Sequence, residues 1–443
     1  MVSLAEKPLT GEPDAGNPPV RFGGRGGANP AIPTPIPNRK PSFACGRSRA
    51  LSAQGGELLE KGMRPLARAG PKRLAGGRDG RHLWRVHLAH LRLRDFRNYA
   101  RLDVDFGPGF HVLLGDNAQG KTNILEAIYL MATLRSFRGV GGAQMVRHGQ
   151  QGYFVGGRIV ADGEREVKMY WSARERKLSL DGQPVRKLTE YLGAVRVVVF
   201  CTEDVQLVKG AARGRRRFLD LLLSQTYPAY LPLLQRYAQA LRSRNALLKQ
   251  PRVDEAALEG FSHELVKLGE QLIGLRRELA PRLSALARLA YRRISKDAEE
   301  LRLEYQPGVR KDFGVELAQS RARERNYRST LIGPHRDEVQ LLLSDRSAAQ
   351  FGSEGQKRSL AIALKMAQAE YLSGIHGSPP ILLIDDVMGE LDAKRRTGFL
   401  PLLERARQSQ VFMTCTQENW PRELAGDPRR WQVRSGTCSP NDI

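Results

Sequence analysis

The stretch "HVLLGDNAQGKTNILEAI", residues 111–128, runs an apolar strand into a glycine-bounded turn and on into a helix. Its turn, Gly115-Asp116-Asn117-Ala118-Gln119-Gly120-Lys121-Thr122, fits the pattern GxxxxGK[ST] and leads through Asn123 into the helix. Backbone N–H groups at a helix N-terminus favour anionic oxygens, and the glycines let the backbone approach them. Lys121 is placed to reach β- and γ-phosphates, and Thr122 to ligate Mg²⁺. Ile124, Leu125, Ile128 and Met131 then share one helical face. Holding a nucleotide is not yet a function, so the rest of the chain has to say what the nucleotide is for.

A second piece of the same chemistry lies far downstream. Ile381-Leu382-Leu383-Ile384-Asp385-Asp386 reads as a buried strand ending in two carboxylates. Beside a phosphate loop, Asp385 is expected to orient Mg²⁺ through its water shell. Asp386 lies where a carboxylate positions and polarises the attacking water, which makes it and Lys121 the catalytic candidates. Between these pieces, "FGSEGQKRSLAIALKMAQAEYL" (351–372) opens a helix at Ser353-Glu354-Gly355-Gln356. Such an N-terminus is a second anion cradle, yet one nucleotide needs only one. Two readings stay open: a contact offered to a partner subunit's γ-phosphate, or a plain capped helix, since Ser-x-x-Gln is also a capping box.

Composition narrows the classes. The 443 residues carry a formal net charge of +24. Residues 1–81 hold 14 Lys/Arg, 6 Asp/Glu, 11 Pro and 14 Gly, so +16 remains on the other 362. An excess of this size suits a polyanion such as nucleic acid, or equally a solvated basic surface. No apolar run approaches the roughly 18 residues of a membrane span, and "MVSLAEKPLTGEPD" lacks the apolar region of a secretory signal. Cys45, Cys201, Cys415 and Cys438 form no CxxC pair and read as reduced thiols of a cytosolic protein.

Along the chain, the Pro/Gly/Arg-rich residues 1–85 are expected to be disordered, because they cannot bury enough surface to offset ordering. Order is expected from 86, where Leu102, Val104 and Phe106 alternate as in a half-buried strand. Asp-Gly pairs at 162–163 and 181–182 signal hairpins, and "VRVVVF" (195–200) and "QVFMTC" (410–415) read as buried strands. From about 206 the period becomes helical. Leu234, Tyr237, Leu241 and Leu248 form one seam, and Leu265, Leu268, Leu272, Leu275, Leu279 and Leu283 another that spans Pro281. The seams fit either a short antiparallel helical pair or helices packed on a globular core. The expected division is a head half at 86–205, a helical arm at 206–330, a second head half at 331–436 and a tail at 437–443.

Phosphate loop, SxGQ segment, acidic strand and Glu390-Leu391-Asp392 together resemble an ABC-type ATPase head, an α/β fold built on a mixed sheet. Transporter heads have a far shorter stretch between loop and signature; here 229 residues separate Thr122 from Gly352, which is similar to the SMC and Rad50 class. Several ordered stretches resemble the RecF family in particular: "LRLRDFRNY", "GDNAQGKTNILEAIY", "RSFR", "TEDVQLVKG" before "RRRFLD", "GPHRDE", "GSEGQKRSLAIALK" and "LLIDDVMGELD". The resemblance implies a slow, DNA-stimulated bacterial ATPase of the cytoplasm and nucleoid whose subunits pair head to head on ATP. It further implies binding to double-stranded DNA and single–double-strand junctions, and loading of RecA at gaps together with RecO and RecR.

Carried over by resemblance, Ser353, Gly355 and Gln356 become the contact across the subunit pair, with Asp392 in the loop beside them. Arg97 and Asn98 are expected near the nucleotide. Arg135, Arg138 and the run Arg215-Arg216-Arg217 become candidate DNA or phosphate contacts, against a solvated basic face as the plainer alternative. The chain departs from the family at Gly389, where Ser is usual, and residues 1–85 match nothing in it. Thr414-Cys415-Thr416 lacks the histidine of transporter heads, and Gln206 is only close to where a lid glutamine belongs. Val86 stands where the family's initiator Met usually does. An SMC-like tether would need longer seams, a transporter ATPase a shorter insertion, and a nuclease fusion a second carboxylate cluster.

Overall fold

Alternating apolar residues make β1 (His87–Phe96) and β2 (Tyr99–Asp105) a tight hairpin in which Phe96 pairs with Tyr99. The chain then enters the strand β3 (Gly109–Leu114) and, past the glycine-bounded turn, α1 (Lys121–Thr133) and the short α2 (Gly142–Met145). The computed structural model describes residues 86–441 apart from 162, 296–298, 388–395, 399, 402, 404–409 and 417–427. The extension at 1–85 and the stretch Gly389 to Asp392 therefore lie outside the described residues.

Strands β4 (Gly152–Val160), β5 (Glu164–Ser172), β6 (Arg176–Leu180) and β7 (Gln183–Pro184) complete an antiparallel sheet in the order β2-β1-β4-β5-β6-β7. Val160 pairs with Glu164 across the first Asp-Gly signal. At the second, Asp181 and Gly182 have φ of 52° and 77°, the pair of positive values a type I′ hairpin turn needs. After α3 (Leu188–Tyr191) the chain forms β8 (Val197–Cys201).

Next comes the helical lobe: α4 (Gln206–Lys209), α5 (Ala212–Thr226), α6 (Tyr230–Leu248) and the 41-residue α7 (Glu255–Ser295), which runs through Pro281. Both readings of the leucine seams hold at once. Helices α6 and α7 are antiparallel, as the Arg236–Glu264 and Arg244–Ser262 hydrogen bonds show. The α7 seam is also buried in a globular core with β9 (Leu301–Gln306), α8 (Phe313–Tyr327), β10 (Glu338–Leu343), β11 (Arg346–Ser347), α9 (Ala348–Phe351) and α10 (Glu354–His376). Because β9 pairs with β10, the insertion shares a sheet with residues beyond 330. The boundary read there marks a change of pattern rather than a break in packing.

The last strands, β12 (Ile381–Asp385), β13 (Gln410–Cys415), β14 (Arg429–Arg434) and β15 (Thr437–Pro440), build a second six-stranded sheet in the order β15-β14-β3-β13-β12-β8. All its pairings are parallel except that of β15. Residues 437–440, read as a tail, are thus an edge strand, and they pair with β14 from Arg434–Thr437 to Trp431–Pro440. Both faces of this sheet are covered. Val198, Phe200, Leu382, Ile384, Val411 and Met413 pack toward the helical lobe, whereas Val197, Val199, Ile381, Leu383 and Phe412 pack toward α1 and the antiparallel sheet. Two-sided burial is why these strands read as unbroken apolar runs.

Candidate nucleotide site

Three parallel strands, β3, β13 and β12, end side by side, with Thr414 paired to Leu113 on one side and Asp385 on the other. Ligands of open α/β sheets gather at such carboxyl ends. The phosphate loop leaves β3 there and is held from outside. Tyr99 donates its hydroxyl to the Gly120 carbonyl at 3.1 Å, and Asn98 Nδ2 donates to the Gln119 carbonyl at 2.9 Å. Asn123 Nδ2 donates to Asn98 Oδ1 at 2.8 Å, and the Ser435 amide donates to Gln119 Oε1 at 2.7 Å. Gly115 and Gly120 have φ of 153° and 117°. A Cβ would fall 2.3 Å from the Val433 carbonyl oxygen at the first and 2.7 Å from Asn98 at the second, so side chains are excluded at both.

The start of α1 is left open. Gly120 at its N-cap supplies no side-chain cap, and no acidic residue stands in the first turn. Unsatisfied N–H groups at a buried helix start require a partner, and phosphate oxygens fit that need. Lys121 is only 8% exposed, and its Nζ donates to the carbonyls of Gly115 and Asp116 at 2.6 and 2.7 Å. Burial pushes its pKa below the ordinary lysine value, opposed by Asp386, Asp116 and Asp385. The ammonium is thereby held over the loop by weak neutral acceptors that phosphate oxygens outcompete.

Thr122 Oγ1 donates to Asp385 Oδ1 at 2.8 Å, and Thr414 Oγ1 donates to the same oxygen at 3.0 Å. The Asp386 amide in turn donates to Thr414 Oγ1 at 3.0 Å. Burial raises the Asp385 pKa, and the two hydroxyls oppose the rise. A threonine hydroxyl and a buried carboxylate meeting across two strands are the oxygen donors Mg²⁺ takes beside phosphates. Asp386 stands exposed with φ of 56°, a strained value for a non-glycine residue. Sequence reading noted Thr414 only for the histidine missing beside it and gave it no part in holding Asp385; its signal was a lone hydroxyl near the end of an apolar strand.

The arginines divide. Arg97 grips the fully buried Glu126 of α1 through Nε and Nη2, both at 2.8 Å, and donates Nη1 to the Gln144 carbonyl. It is a strut between the β1–β2 turn and α1, while Asn98 braces the loop directly. Arg138 donates to Asn123 Oδ1 at 3.2 Å and lowers the Asp385 pKa, which puts it beside the candidate nucleotide site. Arg215 is bound to Glu338 at 2.8 and 3.0 Å and to the Gly210 carbonyl, and Arg216 donates to the Asp337 carbonyl at 2.6 Å. Consecutive helical residues point about 100° apart, so one arginine run faces three ways. Arg217 remains exposed and feels the positive charges of Arg135 and Arg213. Of the five candidates, Arg135 and Arg217 make an open basic cluster, while Arg215 and Arg216 hold the lobe together.

Ser353 caps α10 in a complete box: its Oγ accepts from the Gln356 amide at 3.2 Å, and Gln356 Oε1 accepts from the Ser353 amide at 2.6 Å. Gln356 Nε2 also donates to Glu299 at 2.6 Å, and Glu354 pairs with Lys209. Ser353 and Glu354 are exposed, Gly355 is half-buried, and Phe351 beside them is 69% exposed. Gln206 is exposed and opens α4. A buried pair, Asp204 and Lys365 at 3.3 Å, joins the turn after β8 to α10.

Comparison with known proteins identifies the family. The RecF/RecN/SMC N-terminal domain family matches residues 87–427. A DNA replication and repair protein RecF from Symbiobacterium thermophilum is 40% identical over 373 residues, covering 81% of this chain and 99% of the relative. Its counterpart from Anaeromyxobacter is 39% identical over 371 residues, covering 80% and 99%. The recombination mediator RecF of the RecFOR pathway, solved as RecF-ATP, superposes with a TM-score of 0.74 at 28% identity, covering 81% of this chain and all of that one. The fold is an ABC-type ATPase head of the SMC-like class. On these grounds the chain belongs to the RecF family of DNA replication and repair proteins.

Proposed function

We propose that the chain is an ATP-dependent DNA-binding protein of recombinational repair, in which slow, DNA-stimulated ATP hydrolysis acts as a switch between paired and separate heads. The observation that carries the reading is the open N-terminus of α1 beside the Thr122–Asp385 contact. In this reading residues 86–205 and 331–436 are the head and 206–330 the arm. Gly115 to Asn123 embrace the phosphates, Lys121 neutralises them, and Thr122 with Asp385 would hold Mg²⁺. The ion would supply further charge neutralisation on the β- and γ-phosphates. Asp386 orients the attacking water. Ser353, Gly355 and Gln356 of a second copy close the site over the γ-phosphate, so ATP joins two heads into a homodimer.

The nucleic-acid half of the reading is supported by the excess of +16 outside residues 1–81 and by the open cluster of Arg135, Arg213 and Arg217. Duplex DNA and single–double-strand junctions are the proposed ligands, RecO and RecR the proposed partners, and the bacterial cytoplasm and nucleoid the proposed place. Among the described residues no helix is long and apolar enough to cross a membrane. Titration of a labelled junction with ATP, ADP or no nucleotide tests the reading. Binding should be tightest with ATP and fall with salt at a log–log slope of about −0.9 per phosphate contact. Equal affinity in all three states, or affinity flat in salt, would overturn it.

A further inference from the structure

The antiparallel sheet has one face on α1 and one in the open. Across its open face the register aligns Arg101, Arg94, Phe154, Tyr170 and Lys177 in a single row on β2, β1, β4, β5 and β6. Directly opposed residues of antiparallel strands share a face, so cations flank an aromatic pair along a line of about 19 Å at 4.7–4.9 Å per strand. The side chains of Arg94 and Arg101 have no ion-pair or hydrogen-bond partner among the described residues. Among the described residues Lys177 is held only by the exposed Glu175, a pair of little worth in water.

The aromatic pair is laid on glycines. The tip of the Phe154 ring would lie 2.8 Å from a Cβ on Gly156, and the Tyr170 hydroxyl 3.0 Å from one on Gly152. Both glycines are on β4 and share the open face with Phe154. Larger residues there would lift the rings; glycine lets them spread over the strand. Beside Phe154 a groove of about 390 Å³ opens, but its cations Arg158 and Lys168 are paired with Asp105 and Glu166 of the same lining, and Arg92 with Asp103, so the free charge of this face lies on Arg94 and Arg101.

We propose that this face binds single-stranded DNA, with bases stacking on Phe154 and Tyr170 and the backbone running to Arg94 and Arg101. Aromatic side chains flanked by cations suit unpaired bases, whose faces are free to stack, and not a duplex, whose bases are already stacked on one another. The row thereby gives the single-stranded arm of a junction its own platform, apart from the Arg135–Arg217 cluster. It rests on the DNA-binding reading above, which already includes a junction's single strand, and adds to it a place on the fold.

The test uses the full chain with a labelled oligothymidine and a duplex of equal length at one salt concentration. Phe154→Leu combined with Tyr170→Ser should weaken single-strand binding about tenfold or more and change duplex binding by less than about twofold. Arg94→Gln with Arg101→Gln should do the same. The cross-strand pair also steadies the sheet, so melting temperature and DNA-free ATPase are recorded for each variant. Wild-type protein, independent of any folding defect, should photo-crosslink an iododeoxyuridine oligonucleotide within residues 152–172. Unchanged single-strand affinity in folded variants, an equal loss for duplex, or a crosslink elsewhere overturns the proposal. Wild-type protein that binds the duplex normally while showing any of these keeps the broader reading intact; wild-type protein that binds neither strand form overturns both.

Discussion

The phosphate loop and the SxGQ segment both present a helix N-terminus, and the chain finishes them in opposite ways. Helix α1 begins at a glycine with no side-chain cap, beneath a lysine that is 8% exposed and inside a loop braced from three sides. Helix α10 begins at an exposed serine whose own capping box satisfies it. The first is incomplete without an anion; the second is complete in an isolated subunit and turned outward. Under the proposed function, a site divided this way would bind nucleotide with one subunit's atoms and acquire its second cradle only when another subunit arrives.

Breaking the inner half should give the largest effect. Lys121→Ala removes the loop's charge, and nucleotide affinity should drop by about 100-fold or more; calorimetric titration checks it, and unaltered affinity would mean the loop is not the site. Asp386→Asn keeps the loop and should leave affinity within about twofold. Single-turnover hydrolysis should fall by about 10²-fold or more. Persistent pairing on DNA with ATP would separate binding from chemistry, and normal turnover would reassign the water-positioning group.

A smaller effect probes the strand under the loop. His111 on β3 is fully buried, donates Nε2–H to the Gly107 carbonyl at 2.7 Å and accepts the Trp431 indole N–H on Nδ1 at 3.0 Å. Burial lowers its pKa from 6.5 to about 4, so the folded state holds it neutral where the unfolded chain takes up a proton. Its contribution is complete above pH 6.5 and is lost as pH falls toward 4. His111 alone should lower stability by about 2 kcal/mol between pH 7 and 5, with His335, whose pKa burial lowers likewise, adding its own loss. Urea melts of wild type and His111→Gln check it: the variant should lose less over that interval, and an identical pH dependence would show that the imidazole is not the cause.

Much of the site was legible because its signals are local. The glycines, Lys121 and Thr122 lie within eight residues, and the two-sided burial of β8, β12 and β13 shows as uninterrupted apolar runs. What stayed hidden depends on partners far away in the chain. Arg215 meets Glu338 across 123 positions, and Thr414 meets Asp385 only because β13 lies beside β12. Positive charge is visible in a sequence, but whether it is spent inside the fold is not. The open cluster of Arg135 and Arg217 and the half-buried struts of Arg215 and Arg216 look alike as letters. Even the leucine seams were ambiguous for a physical reason, since α7 meets α6 along its first half, at Ser262, Glu264 and Gly269, and α10 along its second, where Arg293 bonds Glu370.

The central claim is that Ser353 serves a neighbour's nucleotide and its own helix cap only incidentally. Sedimentation of Ser353→Arg with ATP tests this most directly, because on this claim a bulky cation there would fill the space above a partner's γ-phosphate while leaving the variant's own loop untouched. The variant should bind ATP with wild-type affinity, remain monomeric where wild type pairs, and hydrolyse little. An ATP-dependent dimer of Ser353→Arg with normal turnover would contradict the claim and leave the SxGQ segment a capped helix and nothing more.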